Sequence, residues 1–377
     1  MRFSSSLWSV FAMLFVNSTL FGATPDRVYF GTYTRGDSKG IYVSNWDAEE
    51  GKLSEPVLAG EIENPSFLEL SEDGKFLYAV SEVADFKGGG AVNSFQVLED
   101  GTLELINRQP TGGGAPCHLS ISSDGKMVAV ANYSGGNVAS YRILEDGSLS
   151  EPVSIIQHEG SSVNPKRQKG PHAHSINFSK DDRFAYAADL GTDRIFRYAV
   201  DTENGNLTAS GETVISAGSG PRHFAFRPDG KFGYVINELS LTIMGFSLEP
   251  QSGDLSMIES VSTLPPGTEN QGSTAEVVCH PSGKYLYGSN RGHDTIVVFQ
   301  INPDSGKLTY VENEPIQGET PRNFALSPDG SWLLAAGQKS NTVAVFSVAP
   351  ETGELSFTEN KISVDSPVCV RFLPGSP

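Results

Sequence analysis

A chain of 377 residues with a formal net charge of −18 is poorly suited to the phosphates of nucleic acids or to an anionic membrane surface. Its 40 Gly, 22 Pro and 21 Phe favour strands and turns over helices, and 38% apolar residues supply a soluble globular core. In so acidic a chain any cluster of Arg and His runs against the overall sign and calls for an explanation.

The first stretch, MRFSSSLWSVFAMLFVNSTLFGA (residues 1–23), has one basic residue, Arg2, an apolar centre and small residues at Gly22 and Ala23. It reads as an export signal, with the mature protein periplasmic or secreted. Ser9, Asn17 and Ser18 interrupt the apolar run, which argues against a permanent span. The remainder, 24–377, is predicted to form one domain. Within it GDSKG (36–40) has the Gly-x-Ser-x-Gly spacing of a hydrolase nucleophile, but that motif needs a strand leading into a helix. Here it lies between two strand-like runs, VYFGTYT and GIYVSNW, and reads as a loop.

From Pro65 onward one unit recurs: PSFLELSEDGKFLYAV, PCHLSISSDGKMVAVAN, PHAHSINFSKDDRFAYAAD, PRHFAFRPDGKFGYVIN, TAEVVCHPSGKYLYGSN and PRNFALSPDGSWLLAAG. Alternating apolar residues on either side of an Asp-Gly or Ser-Gly pair predict a hairpin, because Gly supplies the positive φ of the turn. The third copy has Asp181-Asp182 instead, a less tolerant pair. Midway between these hairpins runs a second series of Gly-x-Leu turns, at Gly51, Gly101, Gly147, Gly205, Gly253, Gly306 and Gly353. Four strands per period of about 50 residues is the pattern of a propeller blade.

The series disagree by one. Seven Gly-x-Leu turns accompany six complete hairpins, and the missing pair is supplied by SPVCVRFL near the C-terminus and RVYFGTYT near the N-terminus. The predicted fold is therefore all-β: a seven-bladed β-propeller of four-stranded antiparallel blades, closed by pairing the terminal strands in one blade. Closure protects sheet edges that would otherwise template aggregation.

In such a ring the starts of the inner strands and the ends of the second strands share one face. The starts bring His118, His172, His174, Arg222, His223, Glu276, Arg322 and Asn323 there. The ends add Glu82, Asn132, Tyr133, Asp189, Asn237, Glu238, Asn290 and Arg291. A funnel lined by Arg, His and a few carboxylates would draw a small anion into an acidic protein. Lys166, Arg167 and Lys169 precede one inner strand on that face and are candidates to recruit it. In an extended chain His172 and His174 would point the same way, as a metal clamp, an acid–base site or plain strand residues. The abundance of Arg disfavours a cation, so neither a metal nor a cofactor is expected. FKGGGAV and TGGGAP lack a following helix and read as loops rather than phosphate cradles. Cys117, Cys279 and Cys369, odd in number and far apart, read as buried free thiols.

The segments ANYSGGNV, NPKRQKGPHAHS, DLGTDRI, GSGPRHFAFRPDGK, NELSLT and SNRGHDTI together resemble the seven-bladed β-propeller lactonase family, of the 6-phosphogluconolactonase and carboxy-cis,cis-muconate cyclase types. The resemblance covers the whole mature chain. It implies catalytic roles for His174 in PHAH, Arg222 in Pro-Arg-His, Glu238 after Asn237, and Arg291 in Asn-Arg-Gly. His174 would act as general base, supported by His172. Arg222 and Arg291 would bind developing negative charge, and Glu238 would orient them or protonate the leaving oxygen. His118, Asn132, Tyr133, Arg167, His172, Asp189, His223, Glu276, Asn290 and Arg322 would bind substrate.

The leading expectation is an exported hydrolase of an anionic sugar lactone. Cyclisation of a muconate-like diacid would use the same residues, and a non-enzymatic binding propeller would leave them dispensable.

Overall fold

The computed structural model describes residues 27–269 and 272–373, so the expected export signal lies outside the described residues. Among these residues seven antiparallel sheets follow one another around a ring. Six blades each take four consecutive strands. The remaining blade is built from both ends: its inner strand, Pro367–Phe372, pairs with Arg27–Thr32, Phe30 opposite Val370. Its outer strand is split into Lys52–Leu53 and Val57–Glu61, both on Gly40–Asp47. Pro56, which has no N–H to give the ladder, falls in the gap.

Period-two alternation makes each blade a divider between two cores. On the strand Met127–Asn132, Val128 and Val130 pack in one cluster with Tyr29, Tyr78 and Leu119. Met127, Ala129 and Ala131 pack on the other side with Ile176, Ala185 and Tyr198. Fully burying each larger aliphatic side chain contributes roughly 1.5–3 kcal/mol.

The Gly-x-Leu series is the latch between blades. The hydroxyls of Tyr29, Tyr78, Tyr186, Tyr234 and Tyr287 donate to the carbonyls of Gly101, Gly147, Gly253, Gly306 and Gly353, each in the following blade, at 2.7–3.1 Å. Ser140 takes this role toward Gly205 at 2.8 Å, and Asn360 donates to Gly51 at 3.2 Å, which closes the ring. At the hairpin turns Gly74, Gly125, Gly230, Gly283 and Gly330 all have φ between 67° and 77°. Asp182 adopts φ 54° in the exceptional copy. Its carboxylate accepts the N–H groups of Ser123 and Asp124 at 2.9 and 3.1 Å, which offsets the strain.

Candidate active site

At the start of the inner strands the ladder slips by one residue. Pro116 faces Asn132 and His118 faces Ala131, which leaves Cys117 in a bulge. The same slip isolates His174 between Ala173 and Ser175, Arg222 between Pro221 and His223, and Arg322 between Pro321 and Asn323. A bulge re-aims the extra side chain. Three of these four, Cys117, His174 and Arg322, line a cavity of about 380 Å³ with Tyr33, Glu82, Tyr133, Arg167, Glu238, Ser273 and Arg291.

Glu238 is the hub. Its Oε2 receives Arg222 Nε at 3.1 Å and Arg291 at 3.0 Å, and its Oε1 receives Arg167 at 2.7 Å. Burial would raise this carboxyl, but the guanidiniums of Arg291, Arg222 and Arg167 outweigh it and hold the pKa at about 2. Glu238 is thus a fixed anion near neutral pH, which removes it as a proton donor to a leaving oxygen. His174 is 4% exposed, and its Nε2 lies 3.8 Å from Glu238 Oε2. Its Nδ1 lies 3.5 Å from Cys117 Sγ. Burial, reinforced by Arg222, His223 and Arg322, pushes the imidazole well below its ordinary pKa and keeps it neutral. Burial likewise pushes the Cys117 thiol up, so it is no thiolate nucleophile.

The arginines differ in how much of their fork is engaged. Arg222 is 2% exposed and sits behind Glu238 rather than on the cavity wall, its NH1 donating to Ala275 O at 2.8 Å. Burial lowers its pKa to about 10. Arg291 donates to Thr274 O at 2.7 Å while pairing with Glu238. Among the described residues no hydrogen bond engages the Arg322 guanidinium, which lies 5.3 Å from the Tyr33 ring centroid and faces the cavity. Tyr33 in turn donates to Glu82 at 2.9 Å.

The single funnel expected from the sequence is divided. His118, His223 and Glu276 belong to a second chamber of about 340 Å³ toward the opposite face, with Glu69, Phe67 and Arg371. The rings of His174 and His223, 5.5 Å apart, separate the two spaces, and His118 lies 5.1 Å beyond His223. Asn132, Asp189 and Asn290 leave the cavity lining altogether: all three are fully buried. Asn132 donates to Thr111 O and Asn290 to Thr263 O, and Asp189 accepts three backbone N–H groups. His172 and His174 do not form a matched pair either. His172 precedes the strand, stacks on Tyr133 with centroids 4.5 Å apart and donates from Nδ1 to Tyr133 O at 2.9 Å. His174 alone reaches the cavity. Among the described residues no three His, Cys, Asp or Glu side chains gather as a metal set.

Cys117, Tyr33 and Ser273 line the cavity without having been singled out for it. Cys117 had a signal: it follows Pro116 as Arg222 follows Pro221 and Arg322 follows Pro321, at the bulge position.

A family profile described as Lactonase, 7-bladed beta-propeller, matches residues 27–372. The chain is 38% identical to a 6-phosphogluconolactonase of Bacillus subtilis over 348 residues, spanning 92% of this chain and 97% of that protein. It superposes on a Bacteroides uniformis structure, described as a candidate 6-phosphogluconolactonase, with TM-score 0.85 and 39% identity over 93% of this chain and 99% of the other. The periplasmic gluconolactonase of Pseudomonas aeruginosa gives TM-score 0.86 and 33% identity, over 92% and 99%.

Proposed function

From the premise that this chain belongs to the seven-bladed β-propeller lactonase family, and is a lactone hydrolase, we propose how and on what it acts. The substrate is an anionic sugar lactone of the 6-phosphogluconolactone kind, and neutral His174 is the base. The carrying observation is the pairing of a buried, uncharged imidazole with the Arg322 guanidinium, which no hydrogen bond engages among the described residues, in one cavity.

Water held at His174 attacks the lactone carbonyl carbon as its proton passes to Nε2. The imidazolium so formed faces the Glu238 carboxylate, fixed 3.8 Å away, which stabilises it. Arg322 and Arg291 meet the oxyanion of the tetrahedral intermediate. Arg222 acts one step removed, keeping Glu238 ionised and placed. When the ring C–O bond breaks, His174 returns the proton to the departing alkoxide, giving the open hydroxy acid. Three guanidiniums and two carboxylates line the cavity, with Arg222 behind, and this positive excess favours an anion within a chain of net charge −18.

Purified protein assayed against phosphorylated, carboxylated and neutral sugar lactones and a muconate should hydrolyse an anionic lactone with the highest kcat/KM. Preference for a neutral lactone, or turnover of the muconate alone, would overturn this reading. Export remains part of the proposal, resting on residues 1–23: the mature N-terminus should lie near Thr24, and an intact Met1 on extracytoplasmic protein would exclude it.

A further inference from the structure

Arg167 is the one arginine of the cavity carried by a loop rather than by a blade strand or its immediate end. That loop runs from His158 to His172, between the strands Ser154–Gln157 and Ala173–Phe178. Connections this long are usually functional when ordered. Both of its ends are held by one buried carboxylate. His158 Nδ1 donates to Asp189 Oδ2 at 2.6 Å, and the His172 N–H donates to Asp189 Oδ1 at 2.9 Å. Behind it the Tyr198 hydroxyl is hydrogen-bonded to His158 Nε2 at 2.6 Å, which holds the ring against Asp189.

Two glycines grip the far end. A Cβ on Gly191 would come within 1.9 Å of Gly170 O, and one on Gly136 within 2.6 Å of Pro171 O, so the chain at 170–172 is threaded between two bare backbones. Inside the loop, buried Gln168 donates from Nε2 to Leu190 O at 2.9 Å and accepts Asn164 N–H at 3.0 Å. This places Arg167 at the cavity mouth. Its side chain is 39% exposed, whereas that of Glu238, its partner, is 6% exposed. Because Glu238 keeps Arg222 and Arg291, Arg167 can turn to a ligand without stranding a buried charge.

We propose that Asp189, with His158 and Tyr198, is a positioning clasp that holds Arg167 to read an anionic group, phosphate or carboxylate, remote from the lactone carbonyl. This rests on the anionic-lactone reading above. Asp189 acts on substrate through the loop and touches none of it.

Gly191→Ala and Tyr198→Phe test the clasp without altering a cavity side chain, Tyr198→Phe being the milder change. Each is assayed on one anionic lactone and on a neutral lactone of the same ring size. The expected result is a KM for the anionic lactone raised about tenfold or more for Gly191→Ala, the scale of one charge-assisted contact, and less for Tyr198→Phe. Turnover, and KM for the neutral lactone, should stay within about twofold. Arg167→Ala should abolish the preference for the anion, and Gly191→Ala added to it should raise KM no further. If Arg167→Ala loses the preference while both clasp variants keep it, the clasp is wrong and the anionic-lactone reading stands. If the wild type has no such preference, both fall; if Arg167→Ala retains it, the clasp proposal falls and the anionic-lactone reading stands.

Discussion

The two chambers of the central channel are built from neighbouring residues yet differ in charge balance. In the second, lower one (His118, His223, Glu276) each charged group has hydrogen-bond partners: Arg371 pairs with Glu69 at 3.0 Å, and Glu276 accepts His223 Nδ1 at 2.7 Å, Val277 N–H at 3.0 Å and the Asn323 amide. Arg371, Glu69 and Glu276 are thereby satisfied, while His223 Nε2 has no hydrogen-bond partner among the described residues. In the upper chamber Glu238 is overcommitted to three arginines, while Arg322 is engaged by no hydrogen bond among the described residues. On the reading proposed above, the contrast separates a structural polar core from a site. Buried ionic groups are common to both; a positive surplus facing open volume belongs to one.

The largest effect that would sharpen this comparison is expected at His174. His174→Ala should lower turnover by roughly 10²–10⁴-fold with little change in KM, provided a thermal melt shows it folded. A wild-type rate in that variant would remove the base from the upper chamber. The pH profile supplies an independent check. His174 is held well below its ordinary value, so the neutral base is fully present above about pH 6.5 and is lost only as pH falls below it. Glu238, at about 2, stays charged throughout that fall. The acid limb of kcat/KM should therefore lie below pH 6.5, and a limb at or above 7 would contradict a neutral buried imidazole.

Next in size is Arg322→Ala. Removing an oxyanion donor costs about 10²–10³-fold in kcat, and Lys at the same position should restore only part, since it keeps the charge and loses the fork. Unchanged kcat would show that the free guanidinium serves something other than the transition state.

The smallest catalytic effect is expected in the lower chamber. Glu276→Gln weakens three accepted hydrogen bonds and should cost about 1–3 kcal/mol of stability, read as a lower melting temperature. Activity at permissive temperature should change by less than about threefold. A loss of turnover comparable to that of His174→Ala would erase the distinction between the chambers.

The ring was fully legible in the sequence because its signals are local. An Asp-Gly turn works by the φ of one residue, and strand alternation by the geometry of two. The count of seven turns against six hairpins needed only the order of the chain. Cavity-lining residues were legible only in part. Placing Asp189, Asn132 and Asn290 in the funnel treated polarity near a strand end as exposure. Nothing in the local pattern shows that these side chains serve backbone groups of adjoining loops at 2.9–3.1 Å.

By itself the sequence determined the blades, their closure through Pro367–Phe372 and Arg27–Thr32, and the face on which His174, Arg222, Glu238 and Arg291 gather. Only the tertiary structure decided which of two adjacent residues faces the upper cavity. Cys117 and His118 are consecutive in sequence but line opposite chambers, and Arg322 faces the upper one while Asn323 turns to Glu276 of the lower. Strand alternation sends neighbours to opposite sides, and a one-residue bulge resets which neighbour goes where. That slip depends on hydrogen bonds to a second strand and on packing against the next blade, so it is set by the assembled ring.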